Sequence, residues 1–304
     1  MEILTARRDL FEERGLTYPR TFDETVSAGR ILHRPDRGQY GISWNGARGM
    51  PIAHSFMIFL ASAQGSVIDI PRKSGNWLES IGNKELKLRI NSREGLTTID
   101  YMRRLVSVSP PGVETFDAEH NLNCFMAGHT GMSYQWTMRA ARLEHELVSK
   151  VKRRVAYLSP PVSRGNQIAA PVGGFLLTIP NYVSAEHRRE VLNAISLMAS
   201  PEAMKAHVKN GFPVAPRFSV CADPEALASS PIVRFVDGMA RRHELNTWSR
   251  PPIPAYIEIE RALGSEIFAA VFEGKAPAQA LADAENAVYR AIRMVPDSLT
   301  TMAS

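Results

Sequence analysis

Helix-type and strand-type hydrophobic patterns alternate along the chain, and this alternation predicts an α/β fold. The first helix has a capping box, in which Thr21 caps and Glu24 reaches back, with Phe22 and Val26 on the apolar stripe behind it. Further helices are predicted at 51–64, 93–108, 118–128 and 139–150, after Ser184, after Ser200-Pro201 and from Pro277 onward. Strands are predicted at 40–44, 131–136, 155–158 and 172–179.

Two of these segments carry the clearest patterns. Residues 172–179 are almost entirely apolar, which predicts a central strand covered on both faces of its sheet. The last helix carries Leu281, Ala284, Val288 and Ile292 at spacings of three, four and four, which predicts one buried face.

The composition is that of a globular protein without an evident nucleic-acid surface. The 304 residues are 44% hydrophobic and 22% charged, with a formal net charge of +5. The densest basic run, Lys150 to Arg154, lacks interleaved aromatic residues, which favours a solvated helix end. No apolar run is long enough to span a bilayer, and the start lacks the pattern of a secretory signal, so a cytoplasmic location follows if Met1 is the true start.

Catalytic, metal and nucleotide motifs find no support in the sequence. Cys124 and Cys221 allow at most one incidental bridge, and the eight histidines form no ligand cluster. No glycine-rich phosphate loop occurs, and Ser43 lies in an incomplete nucleophile elbow. Glu258 and Glu260 face different sides of a helix, so they do not form a glycosidase pair by themselves. These absences predict a protein that is not an enzyme and needs neither metal nor cofactor.

Aromatic and hydrogen-bonding residues do gather in loops at predicted strand ends, and they are the candidate ligand contacts. Sugars have apolar C–H faces and hydroxyl rims, which suit aromatic rings flanked by polar side chains. A glycine pair also lets a ligand approach the backbone closely. The predicted ligand-binding residues are Trp44, Arg48, His54, Tyr134, Trp136, Arg139, Gly173, Gly174 and Phe175.

The order of short motifs resembles the extracellular solute-binding proteins that serve carbohydrate ABC importers. Residues 7–16 and 19–24 resemble the family stretch usually written RKDLFEEAGL…PKTWDE, and residues 40–49 are similar to its YGIAW-x-G-x-RG segment. Residues 131–136 correspond to AAMMYNW, and residues 173–175 to GGW or a near variant. Further matches follow at 109–112, 200–202, 211–217, 250–256 and 274–277. Each motif alone is weak, whereas their shared order across almost the whole chain is specific.

The resemblance implies a two-lobed periplasmic-binding-protein type II architecture whose lobes close on a ligand. It implies that 1–160 form the second, C-terminal-type lobe, that 161–235 return to the first lobe, and that helices in 236–304 pack back on the second. It also implies a carbohydrate ligand held by stacking and hydrogen bonding, membrane permease subunits as partners, and a periplasmic location. No nucleic-acid partner is implied.

The chain departs from the family pattern at its beginning. Family members carry a signal peptide and several βα units of the first lobe before the segment that opens this chain, and Ala6 replaces a usual tyrosine. Without those units, 172–179 would lose neighbouring strands and expose an apolar edge. Three explanations stay open: a misassigned start or broken gene, a degenerate remnant, or a partner chain that supplies the missing units.

The expected function is therefore that of the substrate-binding component of an ABC importer for a sugar or related polyol. A carbohydrate-active hydrolase that uses carboxylates brought together by the fold, and a truncated remnant without transport activity, are the alternatives. Arg48 and Arg139 suggest a solute with an acidic or phosphorylated group, and the alternative is that they are surface salt-bridge partners.

Overall fold

A mixed sheet and the helices around it form most of the structure, a computed structural model that describes residues 1–69, 87–165, 168, 170–174, 176–212, 215–246, 250–251, 253 and 255–294. The strands are β1 (Glu2–Arg7), β2 (Tyr40–Ser43), β3 (Ile68–Asp69), β4 (Lys87–Leu88), β5 (Thr130–Trp136), β6 (Val155–Leu158), β7 (Ala170–Pro171) and β8 (Leu245–Asn246). The helices of the first half are α1 (Arg8–Glu13), α2 (Phe22–Leu32), α3 (Met50–Ser62), α4 (Arg93–Val106), α5 (Ala118–Met126), α6 (Thr137–Ala140) and α7 (Arg142–His145). Those of the second half are α8 (Ala185–Met198), α9 (Pro201–Lys209), α10 (Phe218–Cys221), α11 (Pro224–Ser229), α12 (Pro231–Arg241), α13 (Tyr256–Phe272) and α14 (Pro277–Met294).

Four strands form the main sheet, in the order β2–β5–β1–β6. The strand β1 runs antiparallel to both β5 and β6, whereas β2 runs parallel to β5. All six residues of β1 are buried, because it lies inside the sheet with helices on both faces. Pairs in the β1–β5 ladder share a face, and Glu2 is opposite Trp136, while Leu4 is opposite Tyr134.

A large aromatic and aliphatic core covers one face of this sheet. Phe59 of α3 lies at its centre, with ring contacts to Phe22, Trp44, Tyr101 and Tyr134. The helices α13 and α14 close the core from outside, and their buried side chains belong to the same cluster as those of α3 and α4. A smaller cluster, which includes Ile3 of β1 and Ile232 of α12, covers the opposite face.

Most of the local predictions are confirmed by the structure. Thr21 accepts a hydrogen bond from the Glu24 backbone N–H, and the Glu24 carboxylate accepts one from the Thr21 N–H, so the capping box is complete. Ser184 and Ser200 cap α8 and α9. The predicted stripe of α14 is buried in the main core, with Leu281 fully inaccessible.

The prediction of a central strand at 172–179 is wrong. The strand β7 ends at Pro171, and no described residue from Val172 to Ile179 belongs to a strand. Leu176 is 90% exposed and Leu177 is 66% exposed, because no described strand lies beside this segment to pair with its backbone. The exposure agrees with the expectation that an apolar edge is uncovered here.

The helix predicted at 139–150 is also wrong, since two one-turn helices, α6 and α7, take its place. The Ser149 hydroxyl donates to the Leu143 carbonyl oxygen at 2.6 Å, and the Glu146 N–H donates to the Arg142 carbonyl. The first of these bonds spans residues after the end of α7, where Leu147 is 96% exposed. The strand β1 was not predicted at all, because both of its faces are covered and its six residues show no alternation.

The division of the chain into 1–160, 161–235 and 236–304 stays a prediction. In the described residues, side chains of α13 and α14 pack in one core with those of α2, α3 and α4. A third, small cluster joins Val208, Val220, Cys221 and Val233.

Candidate functional site

The half-buried Trp136, at the carboxyl end of β5, is the centre of the candidate site. The guanidinium of Arg250 lies over its indole ring, 4.8 Å from the ring centroid, in a cation–π arrangement. The backbone of Gly173 lies against the edge of the same ring, since a Cβ there would be 3.1 Å from Cη2 and Cζ3 of Trp136. A side chain at 173 would therefore press on the ring, and glycine leaves the backbone open to a ligand.

A second group of polar side chains lies between α3 and α13. His54 of α3 pairs through Nε2 with the Glu260 carboxylate, and the Tyr256 hydroxyl is 3.2 Å from the same nitrogen. Both members of this hydrogen-bonded pair are about six-sevenths buried, at 14% and 16% side-chain exposure. The pair holds the His54 ring at the first turns of α3, where the sequence predicted a ligand contact.

Arg250 connects the two groups electrostatically. Burial, followed by the charge of Arg250, lowers the pKa of His54, although Glu260 acts in the opposite direction. Burial raises the pKa of Tyr256, and Arg250 acts against this rise. The guanidinium over Trp136 is therefore close enough to act on His54 and Tyr256, so the ring and the His54–Glu260 pair belong to one site.

Glu2 lies on the same face of the sheet, opposite Trp136 in the β1–β5 ladder. Its carboxylate is buried, and neither oxygen has a hydrogen-bond partner among the described residues. Burial raises the pKa of Glu2 to about 7, while Arg250 acts to lower it. The N-terminal amine of Met1 is also buried, and its pKa falls to about 6 for that reason.

Two of the predicted ligand-binding aromatics belong to the core, and for them the expectation of a cleft position is corrected. Trp44 is inaccessible, donates from Nε1 to the Ser109 hydroxyl at 3.1 Å, and stacks near Phe272 of α13. Tyr134 is 1% exposed, and its hydroxyl lies 2.7 Å from that of Tyr101. Both strand ends are covered by helices that are distant in sequence, which the local polar residues did not reveal.

Both predicted arginines are also placed away from Trp136 and His54. Arg48 pairs with Glu273 just beyond α13, and its guanidinium lies 4.1 Å from the Phe268 ring centroid. Glu273 and Glu260 are thirteen residues apart along this helix, which is about 20 Å at the α-helical rise. Arg139 pairs with Glu119 at 2.7 Å. Each arginine therefore has a carboxylate partner outside the site.

The glycine–aromatic motif is only partly visible. Gly174 is exposed, and no atom of a described neighbour would lie within 4 Å of a Cβ at that position. Phe175 lies outside the described residues. The structure thus brings together three predicted residues, Trp136, His54 and Gly173, and adds four that were not predicted as ligand contacts: Glu2, Arg250, Tyr256 and Glu260.

Three of these four added residues lie in segments that the sequence analysis had already singled out. Arg250 and Tyr256 belong to one of the ordered motifs, and Glu260 is one of two carboxylates noted in the helix pattern. Glu2 had no signal, because the strand that carries it was not recognised.

Other chemistry is not supported in the described part of the chain. Ser43 is buried and donates to the Ser133 hydroxyl at 3.1 Å, so it is not an accessible nucleophile. Cys124 and Cys221 are both free thiols. Among the described residues, no group of three or more potential ligands could hold a metal ion, and no helix is long and apolar enough to cross a membrane.

A cavity of about 480 Å³ lies apart from these side chains. It is lined by residues of α7, β6 and the start of α12, with Tyr157 and Ile232 on its apolar wall and Arg8 and His145 among its polar groups. None of the predicted ligand-binding residues lines it, so it does not alter the assignment of the site.

The chain belongs to the bacterial extracellular solute-binding protein family, because the model of that family matches residues 2–205. This match confirms the resemblance seen in the ordered motifs. The family binds solutes and is not a class of enzymes.

Three known proteins show how far the similarity extends. The mannitol-binding protein of Pseudomonas aeruginosa is 24% identical over 305 aligned residues, which cover 94% of this chain and 66% of that protein. The ribitol complex of an ABC transporter solute-binding protein from Agrobacterium radiobacter K84 is 26% identical, with a TM-score of 0.82 over 95% of this chain and 69% of that one. Maltose-bound MalE3 of T. maritima is 25% identical, with a TM-score of 0.79 over 94% and 69%.

These matches confirm an α/β type II solute-binding fold over about 69% of the length of such proteins. The chain spans 66% of the curated relative that it matches.

Proposed function

We propose that this chain is the solute-binding component of an ABC importer and that the side chains around Trp136 hold a sugar or related polyol. The observation that carries the proposal is a half-buried indole ring that lies against an exposed glycine backbone, with Arg250 over its face. A sugar or polyol chain can pack its C–H groups on such a ring while its hydroxyls meet polar neighbours.

The polar neighbours supply both donors and acceptors. Arg250 and the Tyr256 hydroxyl can donate hydrogen bonds, and the carboxylates of Glu260 and Glu2 can accept them. The His54 ring lies between Glu260 and Tyr256 and contacts both. No nucleophile or metal is required for this kind of binding. Reversible binding with closure of two lobes would then select a closed state that the membrane permease recognises.

The relatives favour the same class of ligand. The similar proteins described above are a mannitol-binding protein, a ribitol complex and a maltose complex. Ribitol, D-mannitol and maltose are therefore the first solutes to test on this chain.

Titration calorimetry of the purified chain with these three solutes tests the proposal. We expect at least one to bind, and we expect Trp136→Ala to weaken that binding at least tenfold, about 1.4 kcal/mol. Tyr289→Ala is the matched control, because Arg293 lies over the Tyr289 ring on α14, 4.2 Å from its centroid, in the same arrangement. Absence of binding by any sugar or polyol, or an equal loss in both variants, would overturn the proposal.

A further inference from the structure

We infer that Glu2 is a specificity-determining residue of the proposed site, whose carboxylate accepts hydrogen bonds from a neutral polyhydroxylated solute and disfavours solutes that carry a carboxylate or phosphate. The inference rests on the proposed function, since it names the solute class of the same site. Glu2 places a carboxylate inside the structure without a hydrogen-bond partner among the described residues, which the fold alone does not account for.

The position of Glu2 directs it towards the site. In the antiparallel β1–β5 ladder Glu2 is paired with Trp136, and paired residues project from the same face of a sheet. The next pair on that face, Leu4 and Tyr134, belongs to the main core, and Trp136 packs at the margin of the same core. Glu2 is therefore on the side of the sheet that carries the indole ring, at the last pair of the ladder.

The carboxylate lacks the partners that a buried anion needs. Glu2 is 1% exposed, and both of its oxygens are fully covered without a hydrogen bond to any described residue. Glu260, the other carboxylate near the site, is largely buried and does have a partner, His54. Burial of an acceptor without a donor is costly, whereas a solute hydroxyl would supply the donor that is absent.

Arg250 is not the hydrogen-bond donor that the Glu2 carboxylate lacks. Its charge acts on Glu2, but no described carboxylate lies within ion-pair distance of its guanidinium, which instead covers the Trp136 ring. Arg250 is held by the Trp136 ring and by a side-chain contact with the Tyr256 hydroxyl. The ring contact contributes only about 0.5–2 kcal/mol, so the guanidinium can move off the ring for a solute at modest cost. The exposed backbone at Gly173 and Gly174 leaves an approach beside the ring.

The balance of charge in the site favours neutral solutes. Above about pH 7, where Glu2 is ionised and the Met1 amine, with a pKa of about 6, is neutral, two carboxylates, Glu2 and Glu260, face one arginine, Arg250. The lowered pKa of His54 favours its neutral form as well. Arg48 and Arg139, the residues that had suggested an acidic solute, pair with Glu273 and Glu119 instead. An anionic solute would therefore meet an unpaired, poorly solvated carboxylate with no additional cation to offset the repulsion.

Calorimetric titration of the whole chain at pH 8, where Glu2 is mostly ionised, with matched pairs of solutes tests this inference. The pairs are ribitol with ribitol 5-phosphate and D-mannitol with D-mannitol 1-phosphate, each sharing one carbon chain. For the solute that binds, we expect the phosphate to bind at least thirtyfold more weakly. In Glu2→Gln we expect the neutral solute to lose at least tenfold in affinity and the ratio between the pair to fall below about threefold. Glu12→Gln, an exposed carboxylate on α1, is the control for loss of one negative charge and should leave both values unchanged.

A thermal melt without solute separates this role from a structural one. A solute contact predicts that Glu2→Gln melts at the same temperature as the wild type or higher, because an unpaired buried carboxylate is removed. A melting temperature lowered together with a uniform loss of affinity for both members of each pair would overturn the inference. Equal or tighter binding of the phosphates by the wild type would also overturn it, while the proposed function would stand. If no sugar or polyol binds the wild type, the proposed function itself fails.

Discussion

The helices α3 and α8 are nearly equal in length but differ completely in burial. Ten of the thirteen residues of α3 are buried, whereas none of the fourteen residues of α8 is. Both helices carry apolar residues, and Val191, Leu192, Leu197 and Met198 of α8 are 37–72% exposed. Local signals therefore suffice to form α8, while burial of an apolar stripe depends on a layer that packs against it.

The contrast extends to the segments around these two helices. Side chains of α3 interlock with those of α2, α4, α13 and α14 in one core. The described residues from Val172 to Met198 contribute no buried hydrophobic side chain, and α9 to α11 share only a small cluster with Val233. The stability of the described structure should therefore reside in the first of these regions.

The largest effect is expected from opening the main core. Phe59→Ala removes a ring that is 1% exposed and contacts four other aromatic residues, so it should lower the free energy of unfolding by about 4 kcal/mol. Leu197→Ala on α8, where the side chain is 72% exposed, should change it by less than about 0.5 kcal/mol. Urea unfolding of both variants measures the difference, and similar losses in the two would remove the contrast between the regions.

Glu2 should make the free energy of unfolding of the core region depend on pH. Its pKa is about 7 in the folded state, against an ordinary value of 4.5 for a glutamate. The folded state therefore binds more protons between these values, and stability falls as pH rises. Full deprotonation would cost on the order of 3 kcal/mol. The difference in unfolding free energy between wild type and Glu2→Gln, measured from pH 4 to 8, should therefore shift in favour of the variant as pH rises.

The difference in unfolding free energy between wild type and Glu2→Gln isolates the contribution of Glu2. The Met1 amine titrates nearby with a pKa of about 6, and Arg250 is the described cation that acts on both groups. These groups are common to both proteins. A difference that does not vary with pH would show that Glu2 keeps an ordinary pKa.

The helix caps Thr21 and Ser184 test whether α2 and α8 differ in how strongly they are coupled to the core. Thr21→Ala removes one half of the capping box of α2, which packs in the main core, and should cost about 1 kcal/mol in urea unfolding. Ser184→Ala removes the cap of α8, which has no buried residue. Its effect should be faster hydrogen exchange in α8 with an unchanged unfolding midpoint. A shifted midpoint for Ser184→Ala would mean that α8 unfolds together with the core.

Sequence patterns predicted those features that local chemistry determines. The capping box of Thr21 and Glu24, the caps Ser184 and Ser200, and the buried stripe through Leu281 needed only neighbours along the chain. The strand at 172–179 failed because a strand exists only through pairing with another, and no described strand lies beside it. Apolar composition alone does not reveal whether a partner is present.

In the candidate site too, some features follow from local sequence and others from long-range packing. Trp136 and Gly173 were predicted from strand-end position and glycine spacing, and the structure brings them together. Trp44 had the same local appearance, but Phe272, more than two hundred residues later, covers it. The pairing of His54 with Glu260 likewise joins residues that no spacing rule connects. Position at a strand end thus identifies candidates, while long-range packing decides which of them stay accessible.

The smallest effect on stability, and the sharpest test of the exposed region, should come from the stripe of α8. Leu192→Gln with Met198→Gln replaces two side chains that are 51% and 50% exposed by residues of similar helix propensity. Unfolding free energy should change by less than about 0.5 kcal/mol, because little apolar surface is exchanged with solvent on folding. Exposed apolar stripes promote association, so the double variant should self-associate less than the wild type across a concentration series in sedimentation velocity. Gln at two exposed positions of the polar α1, Glu12 and Glu13, serves as the control for added amide groups. A fall of more than about 1 kcal/mol in the double variant would show that the stripe is covered in solution, and the two helices would then differ only in which partner buries them.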